Sequence, residues 1–286
     1  MAESNTENIH ASTSFDQNVE SGLLSLSQSI PVKDAAEILN FYDFNEILGQ
    51  GSFGTVIKAK SKVDRSVRAI KIIQMSAAAV REALVLQQLS PHPQIISLYE
   101  VYANTELIFL VQEFCEIQLL DLIPYLKSAQ VRDIGIQLLK ALDYLQSKEI
   151  VHRDIKPENI MIKAEGGNLS VKLIDFGLAV SEHSRKPLIS AAGTSYYIAP
   201  EVIKNEYGSE ADIWSVGIVL AFMLNKELPF RGVTSRQIYE EIVKFDPKSL
   251  QFSPNAPIQL QKAVKSMLQP EPRFRAKPSE LLAAVV

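Results

Sequence analysis

Cysteine, tryptophan and long apolar runs are what this sequence has least of. Cys115 is its one cysteine, which excludes an internal disulfide or a cysteine-built zinc cage and agrees with a reducing compartment. A cytoplasmic location, with the nucleus not excluded, is the expectation. The longest apolar run, Val216–Leu224, has nine residues and contains Gly217, about half of what a membrane-spanning helix requires. The start MAESNTENIH has neither a basic cluster nor an apolar stretch, so no secretory signal is expected, and Ala2 argues against N-myristoylation. An excess of one charge is also missing: 29 Lys and Arg face 33 Asp and Glu, a net charge of −4. Residues 1–40 hold one lysine and six carboxylates, which leaves 28 basic and 27 acidic side chains for the other 246 residues. A body balanced in this way has no electrostatic footprint for nucleic acid or an anionic membrane.

What is present is ample apolar material, 47% over 286 residues, enough for one large domain or two lobes with a sizeable core. Residues 1–29 are the exception. Fourteen of them are Ser, Thr, Asn or Gln, and such a segment buries too little surface to offset its ordering entropy. It is expected to be largely disordered. The stretch 34–42 (DAAEILNFY) reads as a linker with a short helix. From Tyr42 to Gln74 short β-branched runs alternate with turn signals such as KVDRS, predicting strands. The segment 76–89 predicts a helix with Ser76 as N-cap, stopped by Pro91 and Pro93. Two further strands are expected in IISLYEVY and ELIFLVQEF. Helices then dominate, at 127–148, 209–224, 235–244, 256–268 and 278–285.

Residues 49–56 read GQGSFGTV. Glycines at this spacing let a turn bring its backbone close to phosphates with no Cβ in the way. A dinucleotide-binding turn would open a helix here and place an acid about 20 residues on. Instead TVIKAK follows, with Lys71 about where that acid would stand, so that reading fails. A Walker loop fails as well, because no Gly-Lys pair occurs in the chain. Lys71 can reach phosphates beneath such a loop if an anion fixes it, and Glu82 on the 76–89 helix could serve. A surface lysine and a surface helix glutamate are each commonplace. Further on, VHRDIKPENIMI and LIDFGLA set Asp154 and Asp175 among apolar strands, where an unpartnered carboxylate is costly. Asp154 can accept a proton and Lys156 can neutralise a phosphoryl group. Asn159 and Asp175 offer hard oxygens of the kind that suit Mg²⁺.

In order, GQGSFGTV, RAIK, Glu82, HRDIKPEN, DFG and APE (199–201) resemble the motif set of eukaryotic protein kinases of the serine/threonine type. The resemblance covers about residues 42–286. It implies a two-lobed α+β kinase fold: a small antiparallel β lobe with one main helix (about 41–114) and a larger, mostly helical lobe (about 115–286), behind an acidic segment 1–40. It implies transfer of the ATP γ-phosphate, with Mg²⁺, to Ser and Thr hydroxyls of protein substrates by a monomeric enzyme. By position, Gly49, Gly51, Gly54, Val56, Ala69, Lys71 and the backbone of Glu113 and Cys115 would bind ATP. Gln112 would be the gatekeeper, and Glu82 would pair with Lys71. Asp154 and Lys156 would be catalytic, Asn159 and Asp175 would hold the metal, and Glu158 and Thr194 would meet the substrate. Leu86, Leu98, His152 and Phe176 would stack as a hydrophobic spine. Glu201 would pair with Arg275, and Asp212 would brace the catalytic loop. Ser190 would be an activating phosphosite received by Arg153, the alternative being an ordinary polar loop residue.

Residues 207–230 look most like the calmodulin- and calcium-dependent branch, although no EF-hand pattern occurs in the chain. A scaffold that binds partners without catalysis is the alternative, and such proteins usually lose the lysine, the base or the metal aspartate. None is lost here. Cys115 reads better as a small buried hydrophobe than as a redox switch, and the histidines show no metal-ligand spacing.

Overall fold

The computed structural model describes residues 24, 26–51, 54–166, 168–183, 195–204, 206 and 208–285. Two compact units emerge: one runs up to His92 and includes Ile96–Phe114, and the other joins Pro93–Ile95 to the chain from Cys115 onward. Of the segment 1–29 expected to be disordered, residues 1–23 and 25 lie outside the described residues, whereas Leu24 and residues 26–29 are helical, because Leu26 is fully buried and its carbonyl accepts the Ile30 amide at 2.8 Å.

The first unit is a six-stranded sheet with one long helix. Its strands are β1 (Val32–Asp34), β2 (Tyr42–Gly51), β3 (Gly54–Ser61), β4 (Val67–Gln74), β5 (Leu98–Ala103) and β6 (Leu107–Glu113), in the order β1-β5-β6-β4-β3-β2. Helix α1 (Ala77–Leu89) follows β4. Ser76 caps it by accepting the Ala79 amide at 3.2 Å, and it packs against β5 and β6. Cross-strand partners share a face, as do alternate residues on one strand. The pairs Val56–Lys71, Ala69–Gln112 and Lys71–Leu110 therefore put Val56, Ala69, Lys71 and Gln112 on one face.

The opposite face carries Ala59, Ile70, Tyr102, Phe109 and Val111, packed with Ala35, Ile38 and Tyr42. Here the structure departs from the expected linker. Residues 32–41 form strand β1, a 3₁₀ turn Ala35–Glu37 started by Asp34, and a helical turn Ile38–Phe41. Strand β1 pairs in parallel with β5, Val32 opposite Val101, so the antiparallel pattern expected of this sheet holds for β2 to β6 and not for its edge. The cause is the run LIFLV in β6: a continuously apolar strand must be covered on both faces. Helix α1 covers one, and residues 35–42 cover the other. A polar cluster fastens the cover. Lys33 Nζ lies 2.6 Å from Glu100 Oε1, and the Tyr42 and Tyr102 hydroxyls donate to Glu100 Oε2 at 2.8 and 3.0 Å.

In the second unit, α2 (Ser128–Ser147), α3 (Glu210–Asn225), α4 (Ser235–Val243), α5 (Ile258–Met267) and α6 (Pro278–Val285) supply the bulk. Helix α3 is apolar almost all round and nearly all buried, as a helix surrounded by protein must be. Gly217 allows the approach of α5 and its end, since a Cβ there would meet Leu268 Cδ2 at 2.8 Å and Met267 Cβ at 3.0 Å. Lys226 ends α3 in the left-handed conformation (φ 62°). Its Nζ donates to the carbonyls of Ile123 and Leu126 at 2.5 and 3.0 Å, and burial lowers its pKa. Short strands complete the unit: β7 (Ile117–Gln118), β9 (Ile160–Glu165) and β10 (Asn168–Leu173) form one sheet, while β8 (Ile150–Val151) and β11 (Val180–Ser181) pair with each other.

Burial of Glu100 favours its neutral form, but the donors Lys33, Tyr42 and Tyr102 outweigh this, and its pKa is lowered. A carboxylate with a depressed folded pKa stabilises fully above its unfolded pKa, and the contribution fades as pH falls through the folded value. Glu100→Gln should therefore lower stability by about 1–3 kcal/mol at pH 7. The deficit should shrink below about pH 4.3. Thermal melts of both proteins across pH 3–7 would show it; a pH-independent difference would contradict the cluster's role.

Candidate active site

In the first unit the glycine segment is the tip of the β2–β3 hairpin, with Gly49 opposite Val56 and Gly51 opposite Gly54. Ser52 and Phe53 lie outside the described residues. Gly54 has φ +112°, and a Cβ there would collide with the Ile72 carbonyl oxygen. Gly49 and Gly51 have open space where a Cβ would stand, so their bareness serves what approaches the hairpin and not its own packing. On the same sheet face Lys71 Nζ lies 2.6 Å from Glu82 Oε1, the two residues being 6% and 3% exposed. Gln112 is buried near the end of β6, and Glu113 donates its amide to Ser97 O at 2.9 Å. Leu86 and Leu98 are buried in this unit. Cys115 is buried at the start of the second.

In the second unit the loop after β8 is built on Asp212, in the first turn of α3. Its Oδ2 accepts the His152 amide at 2.6 Å and its Oδ1 the Arg153 amide at 2.9 Å. Burial raises the Asp212 pKa, while His152, the two amides and Arg153 pull the other way. Arg153 takes φ +70°, a conformation that non-glycine residues hold only when their surroundings impose it. The His152 ring is fully buried against Phe176, centroids 4.7 Å apart. The Asp154 amide donates to His152 Nδ1 at 3.2 Å, so the ring proton sits on Nε2 and is donated to Ile174 O at 3.0 Å.

Asp154 is held by its neighbours. Lys156 Nζ donates to Oδ1 at 3.0 Å and to Oδ2 at 2.8 Å. Asn159 Nδ2 donates to Oδ2 and to the Asp154 carbonyl, both at 2.8 Å. The β9–β10 register sets Ile160 opposite Leu173, and Ile174 N donates to Asn159 O at 2.9 Å. Asn159 and Asp175 thus come to one mouth of that hairpin. Asp175 takes φ +61° and accepts the Gly177 amide at 3.3 Å. With its Nδ2 engaged by Asp154, Asn159 leaves Oδ1 as a neutral oxygen donor at the same end of the hairpin as Asp175. Two hard oxygens fit Mg²⁺, which keeps waters and phosphate oxygens as its other ligands. Among the described residues no group of three His, Cys, Asp or Glu could hold a metal.

Among the described residues Glu158 Oε2 is buried without a hydrogen-bond partner. After burial itself, this carboxylate is the second cause raising the Tyr197 pKa. Gln118 Nε2 donates to Glu158 O at 2.8 Å, a contact with no signal in the sequence. Arg275 bonds both oxygens of Glu201 at 2.5 and 2.6 Å, the expected pair. Ser190 and Thr194 lie outside the described residues.

A protein kinase domain family matches residues 42–285. Calcium-dependent protein kinase 5 of Plasmodium falciparum (isolate 3D7) is 37% identical over 227 residues, covering 76% of this chain and 40% of that protein. Serine/threonine-protein kinase 33 of Bos taurus is 34% identical over 274 residues, covering 88% and 56%. CBL-interacting serine/threonine-protein kinase 10 of Arabidopsis thaliana is 33% identical over 252 residues, covering 82% and 51%. The chain thus spans between 40% and 56% of the length of these relatives. The likeness to the calcium-dependent branch read from residues 207–230 agrees with them.

The three glycines make a clean comparison. Gly54→Ala should cost about 1–3 kcal/mol, from strain and the Ile72 collision. Gly49→Ala and Gly51→Ala should be neutral or stabilise by up to about 1 kcal/mol. Urea denaturation of the three variants checks this; a Gly54→Ala midpoint equal to the others would contradict the hairpin geometry.

Proposed function

The chain belongs to the protein kinase domain family, and from that premise we propose that it is a serine/threonine kinase transferring the γ-phosphate of ATP to Ser and Thr hydroxyls of protein substrates. The observation that carries this reading is the Asp154 carboxylate. Its Oδ2 is engaged by both Lys156 and Asn159, whereas Oδ1 meets Lys156 alone. Oδ1 is therefore the oxygen to receive a proton from an acceptor hydroxyl.

The other roles follow from each residue's setting. Lys71, fixed by Glu82, holds the α- and β-phosphates under the hairpin of Gly49, Gly51 and Gly54. Val56 and Ala69 cover the adenine, whose edge the backbone of Glu113 and Cys115 meets. Asn159 and Asp175 hold Mg²⁺. Bound MgATP supplies an electrophilic phosphorus with its oxygens already partly neutralised. Lys156, in contact with Asp154, neutralises charge on the transferring group and keeps Asp154 oriented. Glu158, with its orphaned buried oxygen, and Thr194 meet the acceptor segment, where a basic side chain would satisfy Glu158. Arg153 receives a phosphate placed on Ser190. The cytoplasm is the proposed location.

Asp154→Asn tests the reading by radiolabel transfer from ATP to a generic protein substrate. Transfer should fall about 10²- to 10⁴-fold, with nucleotide binding retained, because Asp154 does not touch the nucleotide. Wild-type transfer by Asp154→Asn would overturn the role of Asp154. A wild type that binds ATP and transfers nothing would favour the scaffold alternative.

A further inference from the structure

The hydroxyl of a serine at a helix N-cap ordinarily accepts an amide of its own first turn. Ser209, at the N-cap of α3, does not. Its Oγ donates instead to Glu182 Oε1 at 2.7 Å. Ser209 is buried and Glu182 half-buried, so the bond is partly shielded from water, and a carboxylate beside a helix N-terminus is favoured by the helix dipole. Glu182 directly follows β11 and is fixed a second time, through its amide, to Glu149 O at 2.8 Å.

The arrangement has a mechanical sense. Strand β8 leads into His152, Arg153 and Asp154, while β11 follows Asp175, and the two strands pair at Val151–Val180 and Ile150–Ser181. The first turn of α3 grips the chain after β8 through Asp212. Three residues earlier on the same turn, Ser209 grips the chain after β11. Glu182 stands seven residues beyond Asp175 and eight before Ser190.

We propose that Ser209 and Glu182 are a positioning pair, fixing where the segment after Asp175 sets out toward the acceptor site. The inference rests on the kinase reading above. Neither residue touches substrate, so their effect is on placement of the acceptor and not on nucleotide binding.

The test is steady-state kinetics with an acceptor peptide on the full chain, comparing wild type, Ser209→Ala, Ser209→Thr and Glu182→Gln. Ser209→Ala should lower kcat/KM for the peptide about five- to tenfold while KM for ATP moves less than about twofold. Ser209→Thr, which keeps the hydroxyl, should recover most of the loss, and Glu182→Gln should fall between. Amide hydrogen exchange should quicken at residues 180–183 in Ser209→Ala, a readout independent of turnover and of whether α3 tolerates the change. Peptide kinetics equal to wild type, or an equal loss in peptide and ATP terms, would overturn the positioning role alone. A wild type without any transfer would overturn the kinase reading, and the positioning role with it.

Discussion

Buried in the first turn of α3, the Asp212 carboxylate accepts the amides of His152 and Arg153 at 2.6 and 2.9 Å, and the second unit's chemistry depends on those two bonds. They hold Arg153 at φ +70°, a conformation that costs an ordinary residue about 1 kcal/mol or more. From there the order propagates by hydrogen bonds. The His152 ring, its tautomer fixed by Ile174 O, accepts the Asp154 amide. Asp154 is gripped by Lys156 and Asn159, and Asn159 is tied to Ile174, next to Asp175. A loop with little regular structure is held because the Asp212 carboxylate, the His152 ring, the Asp154 carboxylate and the Asn159 amide nitrogen each engage a partner, and hydrogen bonds in such a chain reinforce one another. Helix α3 can anchor it because α3 is enclosed by apolar packing along most of its length.

The first unit solves a different problem. Lys71 and Glu82 form an ion pair with almost no exposure. Such a pair is a poor source of stability, since desolvating two charges offsets most of their attraction. Its presence on the sheet face that also carries Val56 and Ala69 is explained by use and not by folding. The stability comes from elsewhere: α1 on one side of β6, residues 35–42 on the other. The Lys33–Glu100 cluster fastens that second cover.

Much of the fold was legible in the sequence, for local reasons. Ser76 followed by an apolar period of three to four, then Pro91, marks α1 at both ends. The β-branched runs around KVDRS mark β3 and β4. Strand β1 was not legible, because VKD is three residues long and its partner Val101 lies 69 positions away. The clue was indirect: the unbroken apolar run of β6 called for a second covering layer. The site was legible as motifs, through resemblance, and much less as geometry. Nothing in HRDIKPEN or LIDFGLA says that Arg153 and Asp175 adopt positive φ, and without those turns the relay from Asp212 to Asp175 cannot be drawn. The bond from Ser209 to Glu182 left no mark in the sequence either, because a serine before a helix reads as an ordinary cap.

The central claim is that Asp212, which touches no substrate, sets the geometry on which transfer depends. Asp212→Asn keeps the shape but turns one of two acceptors into a donor facing an amide. Phosphate transfer to an acceptor peptide by this variant, at a temperature where it is fully folded, is the direct measurement. The account predicts a fall in kcat of at least about tenfold with ATP binding retained. A folded Asp212→Asn protein with wild-type kcat would contradict it.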